Sequence, residues 1–202
     1  YWQSPYFTAS SAPVLPYIIE KPSLRVDQKE ARKFFNLPAE SIVLSRHGGF
    51  DTWNLPFVSK VILDIVQERP DIYFLFLGTN AFCKHPNIIF LPSSSNTKLL
   101  EMFLSASDAM IHARWEGETF GLACAEFLAR GKPIITWAQS RERNHFVLAG
   151  SSVLTYNYNF DLYSLLLNLD KTLLKEKSKL ININQFNEFY SSSRVGEILK
   201  AY

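Results

Sequence analysis

Two glutamates, Glu118 and Glu126, flank a short segment that contains a glycine and leads into an apolar helical pattern. The start of a helix leaves backbone N–H groups without partners, and the helix dipole favours an anion such as phosphate there. Ionised carboxylates repel phosphate, but they accept strong hydrogen bonds from hydroxyl groups. A ligand with a sugar, a diphosphate and a ribose in sequence would therefore suit this pair of acids.

The flanking residues predict the order strand, turn, helix. Residues 108–112 have the pattern of a short buried strand, and residues 122–130 are apolar at helical spacing. Thr119 is the expected N-cap residue, so the next three amides should be open to a ligand. Glu126 would then lie roughly 10 Å along the axis from Thr119, at about 1.5 Å per residue. The alternative for both glutamates is a capping and dipole role without any ligand.

A second group of residues suited to anion binding follows the buried strand predicted at residues 41–45. Arg46 stands at the end of this strand, and Gly48 and Gly49 follow it. Paired glycines let the backbone approach a ligand, and an arginine there can bind phosphate. The alternative for Arg46 is an ion pair with Asp51.

Carboxyl ends of strands in open α/β sheets are also where ligands bind. His112 stands near such an end, so the sequence allows either a contact with a bound sugar or phosphate or a place in the core. Arg130 and Lys132 are expected at the opposite edge of the sheet, on the surface.

The segment from Glu118 to Glu126, with Phe120, Gly121 and Leu122 inside it, resembles the E-x7-E motif of retaining glycosyltransferases of family 4. Those enzymes have the two-domain GT-B fold. The resemblance implies that Glu126 holds the ribose of a nucleotide-sugar and that Glu118 contacts the donor sugar. It also implies that the backbone from Thr119 to Leu122 meets the diphosphate and the sugar.

The same resemblance reaches residues earlier in the chain. It implies that Arg46 binds the diphosphate next to the turn at Gly48 and Gly49, and that the loop Leu91-Pro92-Ser93 contacts the base. The family also has a lysine five residues after this arginine, but Asp51 stands there in this chain. The sequence therefore does not show which group, besides Arg46, would balance the negative charge of the donor's diphosphate.

Composition excludes several other classes of protein. The chain has 202 residues, of which 47% are hydrophobic and 14% aromatic, which is enough for a sizeable core. A net charge of +2 without a basic block argues against a nucleic-acid partner. Only two cysteines occur, Cys83 and Cys124, so we expect core thiols rather than disulfides. No stretch predicts a transmembrane segment or a signal peptide, and we expect a cytoplasmic protein, with peripheral membrane association left open.

Strands that alternate with helices predict an α/β domain: a doubly wound parallel sheet with helices on both faces. Residues 1–22 predict an extended lead-in or interdomain connection, with a short strand at residues 14–19. Residues 23–202 predict a Rossmann-like nucleotide-sugar-binding domain that ends in two or three amphipathic helices. Because the chain begins at Tyr1 rather than at a methionine, we expect a piece of a longer polypeptide, the C-terminal half of a GT-B enzyme.

The resemblance implies transfer of a sugar from a UDP- or GDP-sugar to an acceptor with retention, with Glu118 and Arg46 as the catalytic residues. The acceptor would be a glycan, a lipid or a protein, and an N-terminal GT-B domain would bind it in cis or in trans. We expect no metal and no cofactor. One alternative is a non-catalytic module that binds a nucleotide or a partner chain, and the missing lysine favours it. Another is a nucleotide-sugar epimerase, for which the sequence offers no acid and base groups.

Overall fold

A computed structural model describes residues 15–19 and 26–201. The strands of this part are β1 (Ile42–His47), β2 (Ile72–Leu77), β3 (Ile88–Leu91), β4 (Ala109–His112), β5 (Gly117–Glu118), β6 (Ile134–Trp137), β7 (Glu142–Arg143) and β8 (Leu154–Tyr156). The helices are α1 (Gln28–Phe34), α2 (Pro56–Glu68), α3 (Thr97–Ala106), α4 (Leu122–Ala129), α5 (Asn144–Ala149), α6 (Asn159–Leu167), α7 (Lys171–Lys179), α8 (Asn184–Glu188) and α9 (Ser192–Lys200). Short 3-10 turns lie at Phe50–Thr52 and Gly150–Ser152.

Six of the strands form one parallel sheet in the order β3-β2-β1-β4-β6-β8. The chain moves outward from β1 to β2 and β3, and then returns to β4 on the other side of β1. This reversal opens a crevice between the carboxyl ends of β1 and β4, where doubly wound sheets bind their ligands. The predicted fold class is confirmed.

Both faces of the sheet are covered, because alternate residues of each strand belong to different cores. Leu44 of β1 packs in a core that includes α2 and α6, whereas Val43 packs in a core that includes α1, α3 and α4. Strands buried on both faces need continuous apolar runs, which is why the strands could be recognised in the sequence.

A buried ion pair fixes β4 beside β1 at their amino ends. Arg32 of α1 is only 2% exposed, and its guanidinium donates to Asp108 over 2.6 Å. The same carboxylate oxygen of Asp108 accepts the N–H of Val43 over 2.8 Å. The pair therefore sets the register that brings the two carboxyl ends together.

Several predicted boundaries are wrong. Residues 15–19 form no strand, and the rest of the predicted lead-in, residues 1–14 and 20–22, lies outside the described residues. The tail contains four helices in its described part, α6 to α9, instead of two or three. The segment before α5 contains β7, which pairs with β5 in a small second sheet. No helix within the described ranges is long and apolar enough to cross a membrane.

Candidate functional site

A cavity of about 260 Å3 opens at the carboxyl ends of β1 and β4. Its walls come from the turn after β1, the end of β4, β5 and the start of α4. Most of the predicted site residues line it: Arg46, Gly48, Gly49, His112, Glu118, Thr119, Phe120, Gly121 and Leu122. Residues without a predicted role complete the lining: Tyr17, His47, Thr52, Met110, Arg114 and Ala123. The structure thus brings two sequence-distant segments into one crevice.

Arg46 is a buried cation that makes no ion pair in the described part of the chain. Its guanidinium, in a side chain 3% exposed, donates to the hydroxyls of Thr79 and Thr52 and over 2.8 Å to the carbonyl of Gly49. The proposed pair with Asp51 is absent among the described contacts. Burial lowers the pKa of Arg46 to about 10, against the opposing influence of Glu118, so it stays charged at neutral pH. A buried cation without a carboxylate is suited to an anionic ligand.

Glu118 is an ionised carboxylate that faces the cavity between two donors. His112 Nε2 lies 3.1 Å from Glu118 Oε1, and Arg114 donates to Oε2 over 3.0 Å. Burial raises the pKa of Glu118, but the contacts with His112 and Arg114 outweigh it, so the net shift is downward. Because the ionised carboxylate can only accept, Nε2 of His112 is the donor in this contact, while its Nδ1 lies 2.8 Å from the hydroxyl of Thr136.

The position of Glu118 depends on the small sheet of β5 and β7. Gly117 pairs with Glu142 and has φ +76°, a left-handed conformation that favours glycine. Any side chain at Gly117 would overlap the carbonyl oxygen of Glu142. This pairing turns the chain so that the next side chain, that of Glu118, points into the cavity.

The helix after Glu118 begins two residues later than predicted. The N-cap of α4 is Gly121, with φ +88°, and Thr119 lies before the helix, so the assignment of Thr119 as N-cap is wrong. The physical reason is that a helix capped by Thr119 would contain Gly121, whose left-handed φ of +88° is incompatible with an α-helix. The open amides at the start of α4 are therefore those of Leu122, Ala123 and Cys124. Leu122 and Ala123 line the cavity.

Glu126 lies in the next turn of α4, beside the cavity but not among its lining residues. Its Oε2 is 2.9 Å from Nε2 of His47, the last residue of β1. The ring of His47 is stacked on Phe127 with 5.8 Å between ring centres. One oxygen of the Glu126 carboxylate therefore contacts His47, whose side chain lines the cavity.

The loop Leu91-Pro92-Ser93 is not part of the cavity lining. It lies farther along the same edge of the sheet, since β3 pairs with β2 and β2 with β1. Gly78, which follows β2, connects the two regions: a Cβ atom there would lie 3.0 Å from the carbonyl oxygen of Gly48 and 3.3 Å from Cβ of Ser93. The loop borders the crevice through this glycine.

His145 of α5 is an unexpected feature behind the cavity. It is fully buried, and neither ring nitrogen has a hydrogen-bond partner within the described residues. Its ring lies 4.9 Å from that of His112. Burial, followed by the charge of His112, lowers the pKa of His145 to about 3, so this ring is neutral.

The cations at the far end of α4 do not reach the cavity, as expected, but they are not simply on the surface. Arg130 forms an ion pair with Glu101 in which both side chains are largely buried. Lys132 is half-buried, and burial lowers its pKa. Cys124 is fully buried, whereas Cys83 is only partly buried, so the expectation of two core thiols holds for Cys124 alone.

His47 and Arg114 are the functional candidates that the sequence did not identify. His47 could have been found from its place directly after Arg46 at the end of a predicted strand. Arg114 precedes Glu118 by four residues, but its contact with that acid depends on the β5–β7 pairing. Local pattern gave no signal for that pairing.

No family model matches the chain, and no curated protein matches it by sequence. Solved structures do match. Sucrose-phosphate synthase from Thermosynechococcus elongatus superposes with a TM-score of 0.64 at 17% identity, covering 93% of this chain and 48% of its own. WaaG, a glycosyltransferase involved in lipopolysaccharide biosynthesis, gives 0.62 at 14% identity and covers 94% and 55%. HepE from Anabaena, in complex with UDP and glucose, gives 0.58 at 15% identity and covers 93% and 55%.

This chain spans about half of the length of these three proteins. At such identities the likeness shows the fold alone, which is the Rossmann-like fold found in GT-B glycosyltransferases. The predicted Rossmann-like fold, as found in GT-B glycosyltransferases, is thereby confirmed. Membership of family 4 and retention of configuration stay predictions.

Proposed function

We propose that this chain is the donor-binding domain of a retaining glycosyltransferase that takes a sugar from a nucleoside diphosphate sugar. The observation that carries the proposal is the convergence of three features in one cavity: the buried guanidinium of Arg46, which has no carboxylate partner among the described residues, the open amides at the start of α4, and the ionised carboxylate of Glu118. The first two suit a diphosphate, and the third suits sugar hydroxyls.

In this reaction the bond between the anomeric carbon and the diphosphate breaks, and the leaving diphosphate gains negative charge. Arg46 and the start of α4 both line the cavity and are held by the fold, so they would stabilise that charge with little reorganisation. Arg46 would therefore act as a catalytic residue as well as a binding residue.

Glu118 would hold the donor sugar through a hydroxyl group. Its lowered pKa makes it an acceptor rather than an acid, and its contacts with His112 and Arg114 fix its orientation. His112, predicted as a possible ligand of the sugar or the diphosphate, would act by positioning Glu118, because Glu118 and Thr136 engage both of its ring nitrogens. We do not assign Glu118 as a nucleophile, because the proposal gives it a positioning contact with the donor.

The nucleoside would lie along the edge of the sheet toward β3. Glu126 would accept a hydrogen bond from the ribose through Oε1, the oxygen that does not face His47. The base would meet Leu91, Pro92 and Ser93 beyond Gly78. HepE, which has a similar fold, has been solved with UDP and glucose, which supports a UDP-sugar as the first donor to test.

The remaining half of the enzyme would be an N-terminal GT-B domain that binds an acceptor glycan, lipid or protein. We propose that residues 23–202 form the donor-binding unit and that residues 1–22 connect it to that domain. A cytoplasmic location, with or without peripheral attachment to a membrane, fits the use of a nucleotide-sugar donor.

Isothermal titration calorimetry of the chain with UDP-, GDP- and ADP-sugars tests the proposal. One of these donors should bind, and the Glu126→Ala variant should bind it more weakly than the parent. If no donor binds, or if Glu126→Ala binds as well as the parent, the assignment of the site is wrong.

A non-catalytic binding module remains the second candidate. The observations that favour it are Asp51 in place of a lysine and the engagement of both oxygens of Glu118 by protein donors. Under this alternative the donor binds, but the full-length polypeptide neither transfers nor hydrolyses the sugar.

A further inference from the structure

We infer that His47 is a second phosphate-binding group of the cavity: with Nε2 of its ring facing Glu126, the protonated ring donates Nδ1–H to the diphosphate of a nucleotide-sugar. The inference rests on the proposed function and specifies how the donor's charge is compensated. It assigns to Glu126 a role through His47 in addition to its proposed contact with the ribose.

The first observation is the placement of two neighbouring cationic side chains on opposite faces of β1. Successive side chains of a strand point to opposite faces, so Arg46 lies on the side of α2 and His47 on the side of α4. Both line the cavity, because β1 ends there. A diphosphate above the end of β1 would therefore have one of these groups on each side.

The second observation is that the ring of His47 is fixed on three sides. Phe127 stacks on it at 5.8 Å, Phe103 meets it edge-on at 5.9 Å, and Glu126 lies 2.9 Å from its Nε2. The side chain of His47 is 15% exposed, while Nε2 itself is buried and lies close to Glu126 without completing a hydrogen bond within the described residues. Nδ1 is not among the buried unpartnered atoms of the described residues, so it is the nitrogen that a ligand in the cavity could use.

The third observation concerns the hydrogen-bond donors of the ring. In its protonated form an imidazole donates from both nitrogens, so one nitrogen can face a carboxylate while the other faces a phosphate. The side chains that contact His47 come from α3, which contributes Phe103, and from α4, which contributes Phe127 and Glu126. Glu126 is the charged group among these contacts, and it lies at Nε2. The protonated ring would therefore present Nδ1–H to a ligand in the cavity.

The fourth observation is that the guanidinium groups that line the cavity do not balance the full charge of a diphosphate. Arg114 is engaged with Glu118, so Arg46 is the remaining guanidinium that lines the crevice without a carboxylate partner in the described ranges. A diphosphate ester carries two negative charges, and a single guanidinium balances half of them. The imidazolium of His47 supplies the missing positive charge.

The test compares three proteins: the parent, His47→Gln and His47→Lys. Each is titrated calorimetrically with UDP-glucose and with GDP-mannose, at about pH 6 and at about pH 8. Histidine ordinarily changes its charge between these two pH values. The diphosphate of these donors is esterified at both ends and keeps its charge over this range. The parent should bind more tightly at the lower pH. His47→Gln should bind about tenfold or more weakly at the lower pH and lose the pH dependence. His47→Lys should restore affinity and make it independent of pH.

A matched control and a double variant separate His47 from general effects. His85→Gln removes another histidine, one that contacts Gln67 and Asn87 away from the cavity, and should bind as the parent does. Glu126→Gln should weaken binding in the parent but weaken it less in the His47→Gln background, because part of its role passes through His47. Thermal denaturation checks that each variant is folded.

The outcomes distinguish this inference from the proposed function. If the parent binds a donor and His47→Gln binds it equally well at both pH values, His47 is no phosphate ligand, while the donor site stands. A His47→Lys variant that fails to restore affinity in a folded protein also overturns the inference. If the parent binds neither donor at either pH, the proposed function itself fails.

Discussion

Glu118 Oε1 lies 3.1 Å from Nε2 of His112, so the acid of the small β5–β7 sheet is joined to the last residue of β4 in the main sheet. Thr136 of β6 meets the other nitrogen of the same ring at 2.8 Å. The cavity-facing carboxylate is thus held by three separate strands. The proposed contact of Glu118 with a ligand can therefore be tested separately from the contacts that position its carboxylate.

Replacing Glu118 by glutamine keeps the shape of the side chain and removes its charge. Because the carboxylate is proposed to hold a sugar hydroxyl, Glu118→Gln should lower the affinity for a nucleotide-sugar relative to the matching nucleoside diphosphate by about tenfold or more. Calorimetry with both ligands gives this ratio. Glu116→Gln is the matched control, because Glu116 also contacts Arg114 but does not line the cavity. If Glu118→Gln left the ratio of the two affinities unchanged, the proposed contact of Glu118 with the sugar would be wrong.

Gly121 permits the left-handed start of α4 beside Glu118. An alanine there would be strained at φ +88°, and its Cβ would lie 3.1 Å from Cβ of Glu118. Gly121→Ala should reduce the free energy of unfolding by about 1–2 kcal/mol and weaken donor binding. Gly196 in α9 has open space around it, so Gly196→Ala should raise the free energy of unfolding by roughly 0.5–1 kcal/mol. Urea denaturation measures the free energy of unfolding of both variants. If the two substitutions changed it equally, this prediction would be wrong.

His145 should make the fold sensitive to mild acid. Its pKa is lowered from 6.5 to about 3, first by burial and then by the charge of His112. Above the ordinary value both folded and unfolded states are neutral. As the pH falls below it, only the unfolded state takes up the proton, so this residue should reduce the free energy of unfolding by about 1.4 kcal/mol per pH unit until the pH nears the folded value.

Urea denaturation at about pH 7, 6 and 5 measures this slope, in a range above the titration of ordinary carboxylates. His145→Leu should show a flatter dependence on pH than the parent, whereas His85→Gln should not differ from it. A parent and a His145→Leu variant with the same slope would mean that His145 gains its proton in the folded state.

The ion pair of Arg32 and Asp108 should be costly to break. Removing the charge of Asp108 leaves the buried guanidinium of Arg32 uncompensated, so Asp108→Asn should lower the free energy of unfolding by about 3–5 kcal/mol. Glu40→Gln breaks the exposed contact with Lys171 and should change it by less than about 1 kcal/mol. Chemical denaturation of the two variants compares them, and a small effect of Asp108→Asn would show that the buried pair does not fix β4 beside β1.

Much of the fold was predictable because its signals are local. The parallel strands are continuous apolar runs, as a sheet buried on both faces requires. The helix α2 starts at Pro56, a residue suited to the first turn of a helix. Boundaries that depend on short polar caps were less accurate. The tail divides into more helices than predicted because side-chain caps at Asp170 and Ser191 start α7 and α9.

The site was only partly predictable, because its details depend on distant contacts. The pairing of Gly117 with Glu142 joins segments 25 residues apart, and it sets the direction of Glu118. The approach of His47 to Glu126 likewise arises only when β1 and α4 pack together. The residue types at the ends of the strands were enough to predict where the crevice lies. They did not predict which side chains contact each other inside it.

The most direct test of the account is the response of backbone amide resonances to ligands in an isotope-labelled sample of the whole chain. Titration with UDP-glucose or GDP-mannose should shift the amides of Leu122, Ala123 and Cys124, while uridine or guanosine, which lack the diphosphate, should leave them in place and α9 should respond to none of these ligands. Shifts confined to another part of the chain, or none at millimolar donor, would contradict a diphosphate site at the start of α4.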